Sequence, residues 1–219
     1  MKHKGITFFS LILFSVLSAG QVISQSSNPI PTPSILPKPQ EDNSQTIDIA
    51  EWVHPYSTWG TTKFRHGELF MSSKWKSYYY VLVAPEEYST EGAVTQVKLR
   101  NVKSGASYLG YGLIFHSNPE PLKQDYAFLI DTMKKRYRVV RHEPGKEISV
   151  IKWTKSIHIK GGKRQNILEV RDKGDKTELF INGQLVSSIE NTYAFKSGSA
   201  GLYSGDRVKI AFKDLKIRK

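Results

Sequence analysis

The stretch Tyr108–Arg141, YLGYGLIFHSNPEPLKQDYAFLIDTMKKRYRVVR, decides the fold class. It divides into three β-strands, Tyr108 to His116, Asp125 to Thr132 and Lys135 to Arg141, separated by a Pro-containing loop and a tight Met133-Lys134 connection. The apolar residues are too continuous, and too rich in Tyr, Phe, Ile and Val, for a solvated helix. Breaks every eight to ten residues are the rhythm of an antiparallel sandwich.

Working outward, the same reading extends over the chain. Ile47 to Val53 and Glu68 to Ser72 read as short strands around a Trp59-Gly60 turn. Trp75 to Ala84 follows, apolar on both faces, which predicts a strand buried between two layers. Val94 to Val102 alternates as a half-exposed strand. Ile148 to Trp153, Ser156 to Ile159 and Asn166 to Asp172 are further strands. Thr177 to Ile181 and Gln184 to Ile189 flank Asn182-Gly183, the preferred type I′ hairpin turn, because both central residues need positive φ. Gly198 to Ser204 and Val208 to Arg218 close the sheet. No window of a dozen residues sustains a 3.6-residue apolar period, so the fold is all-β, a two-sheet antiparallel sandwich.

The globular part spans 46–219, and at 39% apolar residues it is large enough for one real core; a second domain is not expected. Ahead of it, a basic start (Met1-Lys2-His3-Lys4), an apolar run from Ile6 to Leu17 and small residues at Ser18-Ala19-Gly20 make 1–24 a secretory signal peptide. The alternative is an uncleaved membrane anchor, although the apolar run is short for a bilayer. Residues 25–45 are a Pro/Ser-rich linker in which Pro29 to Pro39 supplies five of the ten prolines. That segment favours extended polyproline II and spans on the order of 30 Å. The localisation expected is therefore exported: periplasmic, cell-surface or secreted. With no cysteine, the exported domain is stabilised without disulfides, which suits a bacterial envelope or secreted protein.

The formal charge is +12, and loss of Lys2 and Lys4 with the signal leaves +10. Such a surface attracts polyanions, while scattered lysines that merely keep the protein soluble are the alternative.

With the strands in place, GYGLIFHS, DYAFLIDTMKKRYRVVR, NILEVRDKGDKTELFING, FKSGSAGLYSG and VKIAFKDLKIRK together resemble the concanavalin A-like lectin/glucanase superfamily. More narrowly they are similar to the laminin-G-like and 3-keto-disaccharide-hydrolase-type domains of exported bacterial proteins. The resemblance covers Thr46 to Lys219 and rests most on Leu179-Phe180-Ile181-Asn182-Gly183 and Gly198-Ser199-Ala200-Gly201-Leu202-Tyr203. It implies a jelly-roll sandwich, often with a sugar-binding concave face. It does not fix a function, because the scaffold carries enzymes, lectins and adhesive modules.

The glucanase branch of that superfamily uses a Glu-x-Asp-x-x-Glu strand with two carboxylates about 5 to 5.5 Å apart. Thr46-Ile47-Asp48-Ile49-Ala50-Glu51 copies the pattern with Thr46 where the nucleophile belongs, at the first strand rather than mid-chain, and reads as coincidence. Asp125 and Asp131 lie six residues apart on one strand, roughly 20 Å distant. His54, His66, His116, His142 and His158 lack metal-ligand spacing, and no phosphate loop, dinucleotide fingerprint or Gly-x-Ser-x-Gly occurs. No catalytic residue, cofactor or metal ligand is therefore assigned.

Binding remains. Rings and basic residues gather at Trp75, Tyr78 to Tyr80, Tyr111, His116, Tyr126, Arg136, Tyr137, Arg138 and Trp153. On a lectin-like sheet, exposed rings stack on sugars while Arg and His bond hydroxyl groups or acidic substituents, but in a sandwich most rings belong to the core. Period 2 sets Gly110, Gly112, Ile114 and His116 on one face, the expected open surface, and Tyr111, Leu113 and Phe115 on the other. The ligand-binding residues expected are His116, Tyr126, Arg136, Arg138 and Trp153. The densest basic run, Lys134 to Arg141, is either a polyanion rim or a strand with a solvated polar face. The partner expected is carbohydrate or another polyanionic polymer, and export argues against nucleic acid. The leading reading is a non-catalytic lectin-like domain; a glycoside-active enzyme and a structural or adhesive module are the alternatives.

Overall fold

The computed structural model describes residues 44–54, 57–192 and 198–219. The expected signal peptide and nearly all of the linker lie outside the described residues.

Among the described residues, fourteen strands form two antiparallel sheets. The first is built from β1 (Ser44–Thr46), β2 (Gly60–Arg65), β3 (Glu68–Ser73), β5 (Val94–Asn101), β10 (Asn166–Asp172), β11 (Lys176–Ile181), β12 (Gln184–Glu190) and β14 (Ile210–Arg218). Its order is β12-β11-β10-β5-β14-β3-β2, and β1 pairs with the far end of β14. The second comprises β4 (Tyr79–Val83), β6 (Tyr111–Ser117), β7 (Asp125–Asp131), β8 (Arg136–Glu143), β9 (Lys146–Lys155) and β13 (Ser199–Gly205), in the order β4-β13-β6-β7-β8-β9. The architecture is the all-β sandwich expected from the sequence.

Its centre is the quoted stretch: β6, β7 and β8 are adjacent strands of the six-stranded sheet, and every residue of β6 and β7 is buried. Tyr111, Leu113, Phe115, Phe128, Ile130, Tyr137 and Val139 face the other sheet and share one core with Leu99, Leu168, Leu179 and Phe212. A smaller apolar cluster, Ile114, Ala127, Leu129, Val140 and Tyr203, belongs wholly to the six-stranded sheet and covers its outer face, with Tyr79, Val81 and Leu109 packed on it. Burial of both faces explains why β6 and β7 carry so few polar residues. The hairpin at Asn182-Gly183 has positive φ at both residues, 53° and 82°, as expected for its turn.

Several expectations are corrected. Ile49–Trp52 forms a short 3-10 helix rather than a strand, because the Asp48 carboxylate accepts the Ala50 amide at 2.9 Å and caps a turn. That capping role also accounts for the Asp in the glucanase-like pattern. Ser156 to Ile159 is a connection after β9, not a strand. Gly60–Arg65, which starts at the expected Trp59-Gly60 turn and where no strand is expected, pairs along β3 as an exposed edge strand. Within Trp75 to Ala84 only Tyr79–Val83 is a strand, and it is not buried between layers. It pairs with β13 alone, at the sheet edge, and its burial alternates. Among the described residues no helix is long and apolar enough to cross a membrane.

Candidate functional site

The edge strands β2 and β4 are each preceded by an exposed ring, Trp59 and Tyr78. Trp59 and Tyr78 are 59% and 54% exposed, and with Tyr79, Val81, Pro121 and Leu122 they line a cleft of about 520 Å³. Local structure holds each wall. The Trp59 carbonyl accepts the Lys74 amide at 2.9 Å, and Gly60, next in the chain, lies so close under the Tyr80 ring that a Cβ there would sit 2.0 Å from it. The Tyr78 carbonyl accepts the Asp206 amide at 2.9 Å. Across the cleft, the β6–β7 loop is tied down where the Leu122 amide donates to Asp125 Oδ2 at 3.1 Å.

Tyr79 joins this cleft to a charged network on the sheet's outer face. Its ring stacks on Tyr203, centroids 4.9 Å apart, and Tyr203 Oη donates to Glu147 Oε2 at 3.3 Å. Asp125, His142 and Glu147 are direct cross-strand neighbours on β7, β8 and β9. His142 Nδ1 lies 2.6 Å from Asp125 Oδ1 and Nε2 3.3 Å from Glu147 Oε2, while Arg138 Nη1 meets Glu147 Oε1 at 2.9 Å. Burial alone would push the His142 pKa down, but the hydrogen bonds to Asp125 and Glu147 outweigh it and raise it to about 9. His142 is therefore an imidazolium at neutral pH, with both ring nitrogens donating. For Glu147, burial opposes ionisation, yet the His142 hydrogen bond and the Arg138 charge hold its pKa below the ordinary carboxylate value. Burial raises the Tyr79 and Tyr203 phenols, so both stay protonated.

This is a charge-balanced floor, two cations against two carboxylates, not a poised acid and base. His142 is 1% exposed and both of its nitrogens are engaged. What the network does is fix the tilt of Tyr203 and Tyr79, and hence the inner wall of the cleft.

Three of the five residues expected from the sequence come together on the same outer face. The Trp153 indole lies under both guanidinium groups, 4.2 Å from Arg136 and 5.3 Å from Arg138, and donates to the Tyr108 carbonyl at 3.1 Å. Arg136 also pairs with Asp131 at 3.4 Å. The other two are elsewhere. Tyr126 is 1% exposed, stacked on Phe115 at 5.3 Å with its hydroxyl on Thr192. His116 is fully buried, its Nδ1 2.9 Å from Thr90 Oγ1. A bulge in the β6–β13 pairing and φ of 53° at His116 break the alternation that put His116 on an open face with Ile114, and Ile114 is itself covered. The sequence pattern groups Tyr78 and Tyr79 among the rings but places neither Trp59 nor the Asp125–His142–Glu147 rung in a site. The signals were present only as a ring beside a Gly turn and as Asp and His at matching positions of neighbouring strands.

No family model matches the sequence, and no curated protein matches it. Solved structures do match in fold. Carbohydrate-binding module CBM66 from Bacillus subtilis shares 17% identity at a TM-score of 0.53, covering 81% of this chain and 96% of that one. The exoplasmic/lumenal domain of VIP36, in its Ca2+/Man-bound form, shares 11% identity at 0.53 over 81% and 90%. A Bacillus subtilis protein of unknown function with a galectin-like fold shares 10% at 0.52 over 73% and 86%. At these identities the likeness concerns the fold alone, a two-sheet antiparallel β-sandwich similar to those of the three structures.

Proposed function

We propose that this chain is an exported, non-catalytic carbohydrate-binding domain that seats sugar rings in the Trp59–Tyr78–Tyr79 cleft. The observation that carries the reading is that cleft itself: exposed rings on a sheet edge, backed by a network that holds Tyr79 in place. Aromatic faces suit the apolar faces of sugars, and hydroxyl and charged groups at the margin fix their orientation. The shared fold with a carbohydrate-binding module and with VIP36 supports the reading, as does the narrower resemblance to laminin-G-like domains of exported proteins. Export follows from reading 1–24 as a signal peptide and 25–45 as a spacer that holds the domain off its attachment point. Affinity electrophoresis through neutral and acidic polysaccharides tests it. Retardation in at least one gel, abolished by Trp59→Ala or Tyr78→Ala, is expected; a folded protein retarded by none, or variants retarded like the parent, overturns it.

A second reading, a glycoside-active enzyme of the 3-keto-disaccharide-hydrolase type, is favoured by one observation: Asp125, His142 and Glu147 converge on the outer face. Turnover of glycosides or 3-keto-disaccharides that disappears in Glu147→Gln would establish it. The burial and double engagement of His142 favour the binding role.

A further inference from the structure

A second cleft borders the segment that leads from β3 to Tyr78. Lys74 after β3, Lys103 after β5, and Arg207 and Lys209 between β13 and β14 line a hollow of about 570 Å³. All four are exposed, and among the described residues none is ion-paired with a carboxylate. The acid lining the same hollow, Asp206, is already engaged: Oδ1 accepts the Ser77 amide at 3.0 Å, and Oδ2 accepts Ser107 Oγ at 2.8 Å and the Leu109 amide at 2.7 Å. Lys209 lies over the Phe70 ring at 5.2 Å, which keeps its stem folded onto the protein.

The turn that presents Arg207 is conformationally costly. Asp206 and Arg207 both have φ of 60°, a region that non-glycine residues rarely adopt, and the turn is held by the Arg207 amide donating to Ser73 Oγ at 3.0 Å. Four exposed cations against the single carboxylate of Asp206 leave the lining with a net positive charge, which attracts an anion. The two clefts border one segment: Ser73 and Lys74 line the basic hollow and Ser77 and Tyr78 the aromatic cleft, while the Lys74 amide bonds to the Trp59 carbonyl and Asp206 bonds to both Ser77 and Tyr78.

We infer that the Lys74–Lys103–Arg207–Lys209 cleft takes the anionic substituents, sulfate or uronate carboxylate, of an acidic polysaccharide whose sugar rings occupy the aromatic cleft. This rests on the carbohydrate-binding reading above and names its substrate class. Arg207 supplies the planar fork that matches either oxyanion, and the lysines add point charges along the polymer.

The experiment compares the parent with Lys103→Gln/Arg207→Gln, with the charge-retaining Lys103→Arg/Arg207→Lys, and with Trp59→Ala, against dextran sulfate, polygalacturonate and a panel of neutral polysaccharides. The glutamine pair should lose about tenfold in affinity for the anionic polymer, the charge-retaining pair should lose less, since Arg207→Lys keeps the charge but not the fork, and neutral binding should be unchanged. A preference for dextran sulfate or for polygalacturonate identifies which oxyanion is taken. Anionic-polymer affinity within twofold of the parent in the glutamine pair overturns the inference, while neutral binding lost in Trp59→Ala would still support the sugar reading. Conversely, anionic binding that depends on Lys103 and Arg207, with no polymer of any kind sensitive to Trp59→Ala, supports the basic cleft and overturns the sugar site.

Discussion

The basic run on β8 and the basic cleft beside Arg207 invert what the sequence displays. Lys134 to Arg141 is the densest cluster of cations in the chain, yet folding pairs its three arginines with carboxylates: Arg136 meets Asp131, Arg138 meets Glu147 and Arg141 meets Glu143, while Lys134 lies 4.8 Å from the Tyr108 ring. The cleft cations are scattered from residue 74 to residue 209 and meet only because three connections converge at one end of the sandwich. Along a strand in a sheet, each charge faces a cross-strand neighbour, and opposite charges there are stabilising. Turn residues have no such neighbours and keep their charge for solvent or a ligand. Charge density along the chain is therefore a poor guide to the charge that a β-sandwich presents.

The comparison breaks most visibly if the β8 network is opened. Asp125→Ala would leave the His142 imidazolium buried without its shortest partner, and removing one member of a buried pair costs about 3 to 5 kcal/mol. Urea unfolding should show that loss, whereas Lys103→Gln/Arg207→Gln should leave the midpoint almost where it was. A loss below about 1 kcal/mol in Asp125→Ala would mean that the network is not a structural device.

Next in size is the pH dependence of the same rung. The folded His142 pKa is raised from 6.5 to about 9, so its contribution is fully present below about pH 6.5 and is lost as pH rises through about 9. The shift corresponds to on the order of 3 kcal/mol. Glu147 works in the opposite direction: its lowered pKa gives stability that is present above about pH 4.5 and lost on acidification. Unfolding midpoints should fall between pH 6 and pH 9.5, with the fall much reduced in His142→Gln. A flat or rising profile in the parent contradicts the assignment.

How much of this was legible follows from the range of the interactions. The β6–β7–β8 meander and the Asn182-Gly183 hairpin rest on local signals, alternation and turn chemistry, and the sequence displays both. The 3-10 turn at Ile49–Trp52 was hidden because β-branched Ile47 and Ile49 read as strand while a single Asp48 cap decided otherwise. The polar edge strand β2 carries TTKFR, with no apolar face to announce it. For the site, the rings could be seen but not their exposure: Tyr80 is core and Tyr78 is surface, because Tyr80 lies within β4 against Gly60 while Tyr78 precedes the strand. Arg136, Arg138 and Trp153 meet because β8 and β9 are neighbours, and a bulge that period 2 cannot foresee buried His116. The basic cleft depends on a turn held across 134 residues, from Ser73 to Arg207, and no local pattern encodes that.

A third test measures the contrast directly in ligand affinity. Lys103→Gln/Arg207→Gln should weaken binding to a sulfated or uronate polymer by about tenfold, which is about 1.4 kcal/mol. Removing the same number of charges at Lys134 and Lys135, in the β7–β8 turn, should change it less than twofold, since these cations lie outside both clefts. Equal losses in the two pairs would show that the polymer responds to net charge and not to the cleft.

The smallest expected effect isolates the β8 side alone. Lys134→Ala removes the ammonium over Tyr108, a ring that is itself 67% exposed, and an exposed cation–π contact contributes about 0.5 to 1 kcal/mol. Thermal unfolding should register a shift at the low end of that range, because the solvent that bathes Tyr108 also hydrates the lysine. Tyr108→Ala should cost no more than Lys134→Ala plus its own small buried area. In the double variant the two losses should add to less than their sum by the energy of the contact, which a double-mutant cycle reads out. A coupling near zero would make Lys134 an ordinary solvated turn residue, and every charge that β8 leaves unpaired by carboxylates would then be electrostatically idle, which sharpens the contrast with Arg207 further.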